Sequence, residues 1–156
     1  MKDSIFKFDK NCIYLYGLLY PKTNNIFLKG RGMKTAKDYL KEANSVVEKI
    51  SPAEGIERHN SGNLVVVDVR DSSAFPETGT VLGALRIPRG IIEFAADDTH
   101  PMHNSALQKG SAIGIICAVG GQAALTAKTM KDMGFEDVVN LGGISDWVEA
   151  GGPMEN

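Results

Sequence analysis

At 156 residues with a formal charge of −2, the chain is long enough to bury a core of its own within one domain. The near-neutral balance gives no reason to expect nucleic acid or an anionic membrane as the partner, and no apolar run approaches the roughly 20 residues that a spanning helix needs. The two cysteines, Cys12 and Cys117, are too few and too far apart for a disulfide framework, so a reducing, cytoplasmic setting is the expectation.

Residues 1–32 differ in pattern from the rest of the chain and are read as an N-terminal extension to a domain spanning 33–156. Cys12 to Tyr20 is a short apolar, aromatic and β-branched patch, expected to form a hairpin or a docking strand. Lys2, Lys7 and Lys10 precede it as they would in a signal peptide, but Asp3 and Asp9 dilute that charge and no small-residue cleavage site follows. A further reading places the biological start at Met33, with a purine-rich ribosome-binding site encoded by Lys29 to Gly32. The terminal mass of natively expressed protein decides this, and a mass that includes residues 1–32 rules it out.

From Thr35 the signals are clearer. Thr35 and Asp38 have the spacing of a capping box, and Ala36, Tyr39, Leu40, Ala43, Val46, Val47 and Ile50 recur at helical steps, predicting one amphipathic helix. Ser51-Pro52-Ala53-Glu54 is a second start signal, with a cap residue, proline at the first helical position and an acid three residues after the cap. The short helix it opens should end at Asn60-Ser61-Gly62. Leu64 to Arg70, nearly all β-branched before its charges, is the strongest strand signal in the chain. Ser73 to Gly79 reads as a turn or short helical turn, Ala84 to Pro88 as a short strand, and Ile91 to Ala96 as a short apolar helix or turn. Asp97 to His103 sets two histidines beside two acids, but with no zinc-ligand spacing, and is read as a polar loop. Ser105 to Lys109 is expected to be a short helical connection.

Ala112 to Ile116 is an apolar run ending at Cys117, and its β-branched content suits a strand buried on both faces of a parallel sheet. Gly120-Gly121 follows. Ala123, Ala124, Ala127, Met130 and Met133 then recur at three- and four-residue steps, with Gly134 as the stop. Cys117 therefore opens a tight loop between a strand end and a helix start, the edge at which open α/β sheets place their ligands. Backbone N–H groups in such a turn favour an anion, and a thiolate over a thiol. The competing reading is a small buried hydrophobe that ends a core strand. Asp68 and Arg70 reach the same carboxyl edge if the strands are parallel, as a pair fixing the strand end or as part of the site. Asp137 to Leu141 gives another buried strand, Gly142-Gly143 a turn, and Ile144 to Ala150 a terminal helix with Trp147 inward, stopped by Gly151-Gly152-Pro153. Strands alternating with helices predict an α/β fold with a parallel sheet covered on both faces.

Four landmarks in order carry a resemblance: Val67-Asp68-Val69-Arg70, Gly83-Ala84 through Ile87-Pro88-Arg89-Gly90, Cys117 opening its loop, and Leu141-Gly142-Gly143-Ile144 with Trp147. Residues from about 50 to 155 resemble a single-domain rhodanese (sulfurtransferase). The segment Ile87 to Phe94, the insertion Asp97 to His103 and the ending Ala150 to Pro153 are similar to a bacterial stand-alone subgroup. The resemblance implies a rhodanese-like α/β fold, a doubly wound sheet of about five mostly parallel strands with helices on both faces, and a sulfur-carrying nucleophile at Cys117. It further implies a cradle of Ala118, Val119, Gly120, Gly121 and Gln122, and neither metal nor organic cofactor. The thiolate would take the outer sulfur of thiosulfate or a persulfide and pass it to a thiol-type acceptor. Partners would then be a small sulfur donor and a thiol, with room for a protein partner, in a monomer or homodimer. The sequence also departs from the family. Gln122 stands where an arginine is frequent, Ala118 and Val119 replace residues that are often basic and polar, Thr80 replaces a frequent histidine, and Val81-Leu82 replaces Ile-Pro. Dianionic thiosulfate is expected to bind poorly unless Arg70, Arg86 or Arg89 reaches the mouth. A phosphatase relative is disfavoured by the same missing arginine. The alternative from a different class is a catalytically weak or inactive rhodanese-like binding or regulatory module.

Overall fold

The computed structural model describes residues 32–156, so the expected hairpin or docking strand at Cys12 to Tyr20 lies outside the described residues. Helix α1 (Ala36–Val46) opens with the predicted capping box: the Thr35 hydroxyl accepts from the Asp38 N–H, and the Asp38 carboxylate accepts from the Thr35 N–H at 2.8 Å. Those donors, the backbone N–H first and the Thr35 hydroxyl second, hold the Asp38 carboxyl below the usual carboxylate range. Helix α2 (Pro52–Asn60) is capped by the Ser51 hydroxyl, as its start signal predicts. A single helical turn, α3 (Phe75–Thr78), falls within the Ser73 to Gly79 segment.

The predicted first helix is too long. Val47 leaves helical geometry, and Glu48–Lys49 form β1, paired in parallel with Val139 and Asn140. The apolar spacing runs on through Val47 and Ile50, but both side chains are buried from outside the helix, while Tyr39 and Val46 stay about half exposed. Two β-branched valines in succession favour the extended chain once a strand edge is available to pair with.

The main sheet has five parallel strands in the order β1, β6 (Val138–Gly143), β5 (Ile113–Cys117), β2 (Val65–Asp68), β4 (Leu85–Arg86). Side chains alternate across it. Val67, Ile113, Ile115 and Cys117 join one core with helix α5 (Gly121–Asp132) and helix α4 (Ile92–Ala96), whereas Val66, Ile116, Val139 and Leu141 join a second with Ile50 and Trp147. Gly114 lies between: a Cβ there would fall 2.7 Å from the Leu141 side chain and 2.9 Å from that of Leu64, so these two leucines close over it. A sheet covered on both faces is thereby confirmed, with burial of each large side chain worth about 1.5–3 kcal/mol.

Several local expectations change. A second, antiparallel pair joins β3 (Thr80–Val81) to β7 (Met154–Glu155), bringing the C-terminus against the segment after β2. Ser105 to Lys109 is a series of turns rather than a helical connection, organised by Asn104, whose side chain accepts from the Ala106 N–H. The loop after α4 is held by His103, whose ring nitrogen meets the Ala95 carbonyl at 3.1 Å. Gly142 and Gly143 belong to β6 instead of turning away from it. The register against β5 slips by one residue between Ile115 and Ile116, leaving Leu141 as the extra residue of a bulge. Bulges re-aim the strand end beside a site, and this one faces the loop that follows Cys117.

Candidate active site

Cys117 is the last residue of the central strand, and Gly120 is the N-cap of α5. Between them Ala118 and Val119 carry the chain over the end of β6. Approach is close enough to exclude side chains: a Cβ on Gly143 would fall 2.7 Å from the Ala118 carbonyl oxygen, and one on Gly120 3.2 Å from Gly142 Cα. Gly120 also has φ of +89°, a left-handed conformation that costs a residue with a Cβ about 1–2 kcal/mol. Glycines at these positions are required by geometry.

The loop closes around sulfur. The Gly120 N–H donates to Cys117 Sγ at 3.1 Å and the Ala123 N–H donates to it at 3.4 Å. Ala123 is in the first turn of α5, so Sγ takes one of the donors that a helix start leaves without a partner inside the helix. Two N–H dipoles and the positive end of a 12-residue helix therefore converge on one sulfur. The side chain is 1% exposed, beneath a rim on which Val119 is 86% exposed. Such an arrangement can stabilise a sulfur anion, on the cysteine or on an atom attached to it, with donors already in place.

The profile of the rhodanese-like domain family matches residues 51–150. The chain belongs to that family. A relative of solved structure from Rhodopseudomonas palustris, a protein of unknown function described as a candidate tyrosine phosphatase, is 36% identical; the match covers 81% of this chain and 98% of that one with a TM-score of 0.74. The rhodanese-like domain of an Anabaena protein is 27% identical over 69% of this chain and 78% of its own, with a TM-score of 0.57. A Bacillus subtilis protein described as a candidate sulfur carrier, YrkF, is 33% identical over 86 residues. That match covers 54% of this chain, which spans about two fifths (42%) of the relative's length.

Within this rhodanese-like frame, Ala118 to Gln122 follow Cys117 as its loop and helix start; of these five Gly120 donates its N–H to Sγ, and Gln122 is exposed in the first turn of α5. The three arginines weighed for the mouth are held by partners of their own. Arg70 is buried in a pair with Asp68: its Nη2 lies 2.6 Å from Asp68 Oδ2 and also donates to the Gly79 carbonyl, while Nη1 donates to Thr78. Thr80 donates to the same carboxylate at 2.8 Å, so this residue serves the buried acid. Asp68 and Arg70 therefore form one buried pair, shared with Thr78, Thr80 and the Gly79 carbonyl. Arg89 is tied to Glu93 and to Thr129, eight residues into α5, which is about 12 Å along its axis from the cradle. It lines a separate cavity of about 520 Å³ between α1 and α5. Arg86 is held by Glu155 and the Asn156 carbonyl. Each guanidinium has partners that compete with a bound anion.

Two residues at the site escape a reading by sequence pattern. Asn140 is buried on β6; its amide nitrogen donates to the Gly120 carbonyl at 3.2 Å, and its oxygen accepts from the Gly142 N–H at 2.8 Å. Lys49, on the edge strand, lines a cavity of about 250 Å³ together with Val119, Gly120 and Gly121. Neither carries a local signal: Val47 and Ile50 continue the helical spacing around Lys49, and Asn140 is a lone amide in an apolar strand.

Proposed function

We propose that residues 33–156 form a cytoplasmic sulfurtransferase unit in which Cys117 accepts a sulfane sulfur as a persulfide and passes it to a thiol. The observation that carries this reading is the pair of N–H groups on Cys117 Sγ. In the first half-reaction the thiolate attacks the outer sulfur of the donor, the donor's S–S bond breaks, and the remainder leaves with the bonding pair, as sulfite from thiosulfate or as a thiolate from a persulfide. In the second, a thiol acceptor attacks the outer sulfur of the Cys117 persulfide and regenerates the thiolate. Splitting the transfer in two is nucleophilic catalysis, and the N–H donors stabilise the anion at each stage. The family match and the sulfur-carrier description of YrkF support this reading.

Thiosulfate is a poor fit for this loop. It carries two charges next to the transferred sulfur, and the cradle offers dipoles but no guanidinium. A persulfide with its charge elsewhere loses less. The phosphatase description of the Rhodopseudomonas relative asks for an arginine on phosphoryl oxygens, where this chain has Gln122.

The test is intact-mass analysis of the protein after incubation with thiosulfate and, separately, with glutathione persulfide. The expected result is the gain of one sulfur atom on Cys117 from the persulfide and much less from thiosulfate. No gain from either, with Cys117 still free to alkylate, favours the second reading, a rhodanese-like binding or regulatory module. The burial of Cys117, 1% exposed under an uncharged rim, is the observation behind that alternative.

A further inference from the structure

Lys49 stands where the strand register aims it at the back of the sulfur loop. Pairing of β1 with β6 sets it opposite Asn140. Its side chain then runs past the bulge, with Cε 3.4 Å and Nζ 3.7 Å from the point that a Cβ on Gly142 would occupy. The Asp146 carboxylate borders the same point at 3.4 Å, yet no ion pair joins the two, and among the described residues Lys49 is in no ion pair or side-chain hydrogen bond. Lys49 lines the cavity of about 250 Å³ whose walls include Leu40 and Asn44 of α1, Asn140, Gly120 and Gly121. Gly120 is also the residue whose N–H reaches Cys117 Sγ. Cavity and nucleophile therefore share a wall one residue thick.

We propose that this cavity binds a carboxylate of the low-molecular-weight persulfide that loads Cys117, with Lys49 as counter-charge and Asn44 as an amide partner. The proposal rests on the sulfurtransferase reading and specifies its donor. Distance along the ligand decides between donor classes. In thiosulfate the anionic oxygens are bonded to the sulfur beside the one transferred, so an ammonium beyond the Gly120 wall is badly placed for them. A thiol persulfide can carry its carboxylate several bonds from the sulfane sulfur, far enough to lie over the Val119–Gly120 rim and reach Lys49. The chemistry balances: the Cys117 thiolate attacks the terminal sulfur of R–S–SH, that S–S bond breaks, a new S–S bond forms at Sγ, R–S⁻ leaves, and the proton stays on the transferred sulfur. No outside oxidant or reductant is needed.

The test uses two pairs of reagents on the full chain, with Lys49→Gln, Lys49→Arg and Lys109→Gln as variants, the last a control for net charge on an exposed loop. One pair is 3-maleimidopropionate and N-ethylmaleimide, which alkylate with the same carbon and differ in a carboxylate several bonds away. The other is a carboxylate-bearing alkyl persulfide and its carboxamide analogue. An exposed charge pair contributes at most about 1 kcal/mol. Lys49→Gln is therefore expected to slow the carboxylate member of each pair about two- to five-fold and leave the neutral member unchanged. Lys49→Arg should preserve the preference, Lys109→Gln should not affect it, and half-molar salt should abolish it. An unchanged carboxylate-to-neutral ratio in Lys49→Gln overturns the proposal, as does an equal loss in Lys109→Gln. Wild-type protein that alkylates with a Lys49-dependent preference but takes sulfur from no donor instead refutes the sulfurtransferase reading and leaves an anion-binding site. A Cys117 that reacts with neither maleimide overturns both.

Discussion

Asn140 clamps the sulfur loop to the sheet: its side-chain nitrogen donates to the Gly120 carbonyl while its oxygen accepts from the Gly142 N–H, across 20 residues of chain. The β6 bulge makes this geometry available, because the extra residue at Leu141 lets Gly142 double back onto the Asn140 side chain. Gly120 in turn presents its N–H to Cys117 Sγ. One buried amide side chain thus links the strand register to the donor geometry around the nucleophile, and Asn140 acts as a positioning residue.

Replacing it should separate loop geometry from global stability. Asn140→Ala leaves the Gly142 N–H without its partner in a buried setting, at a cost of about 1–3 kcal/mol in urea denaturation. It should also slow persulfide loading of Cys117 per folded molecule, because Gly120 is no longer held with its N–H on Sγ. Asn140→Asp has the acceptor but no donor for Gly120, and should show the same loss of loading. Wild-type loading per folded molecule would argue for a structural role alone.

Arg70 gives the opposite pattern. With Asp68 fully buried and Arg70 5% exposed, Arg70→Met strands a carboxylate in the core, and such losses run to about 3–5 kcal/mol. Arg70→Lys should recover little, since one ammonium cannot serve Asp68, Thr78 and the Gly79 carbonyl together. Sulfur loading per folded molecule should remain near wild type. A selective loss of thiosulfate loading in stably folded variant protein would return Arg70 to the mouth of the site.

Acid should loosen α1, which carries Leu40 and Asn44 of the anion cavity. The folded Asp38 carboxyl is held below its unfolded value of 3.8, so its capping contribution is fully present above that value and fades as pH falls through the lower folded one. Asp38→Asn should remove that part of the acid dependence. Amide exchange across the first turn of α1, measured from pH 5 to pH 2.5, checks this.

Much of the frame is legible because its signals are local. Thr35 and Ser51 announce helix starts within three residues, and Leu64 to Arg70 is a β-branched run that has few alternatives. Cys117-to-Gln122 is legible for the same reason, since a strand, two glycines and a helix face lie side by side in the chain. Lys49 and Asn140 are not legible, because each acquires its place only when β1 pairs with β6 and β6 slips by one residue. A two-residue strand carries no periodicity, and Val47 and Ile50 continue the spacing of the preceding helix well enough to hide it. Arg70 is ambiguous in sequence for a related reason: its partners are Asp68 two residues earlier and the Gly79 carbonyl nine residues later, and only the folded turn brings both to one guanidinium.

Restoring charge to the loop tests why thiosulfate should be disfavoured. Gln122 is exposed in the first turn of α5, so an arginine fits without displacing core atoms. Gln122→Arg should raise thiosulfate turnover, with a smaller effect on the carboxylated persulfide, and the gain should shrink as salt is added. An unchanged thiosulfate rate would mean that access past the Val119 rim, rather than charge, sets the limit.

The sharpest test of the cradle is Gly120→Ala. The substitution puts a Cβ on a residue with φ of +89° and within 3.2 Å of Gly142 Cα, so the loop must shift to relieve both. Conformational strain alone costs about 1–2 kcal/mol, small enough for the five-stranded sheet to remain folded. The shift withdraws the nearer of the two donors on Sγ, at 3.1 Å, and leaves the Ala123 N–H at 3.4 Å. If preorganised dipoles are what hold the transferred sulfur, loading should fall at least ten-fold, about 1.4 kcal/mol, while N-ethylmaleimide still reaches Cys117. Gly134→Ala, at another glycine of positive φ away from the loop, supplies the control for backbone strain. Equal loss of loading in the two variants would show that strain, and not the geometry of the N–H donors, accounts for the effect.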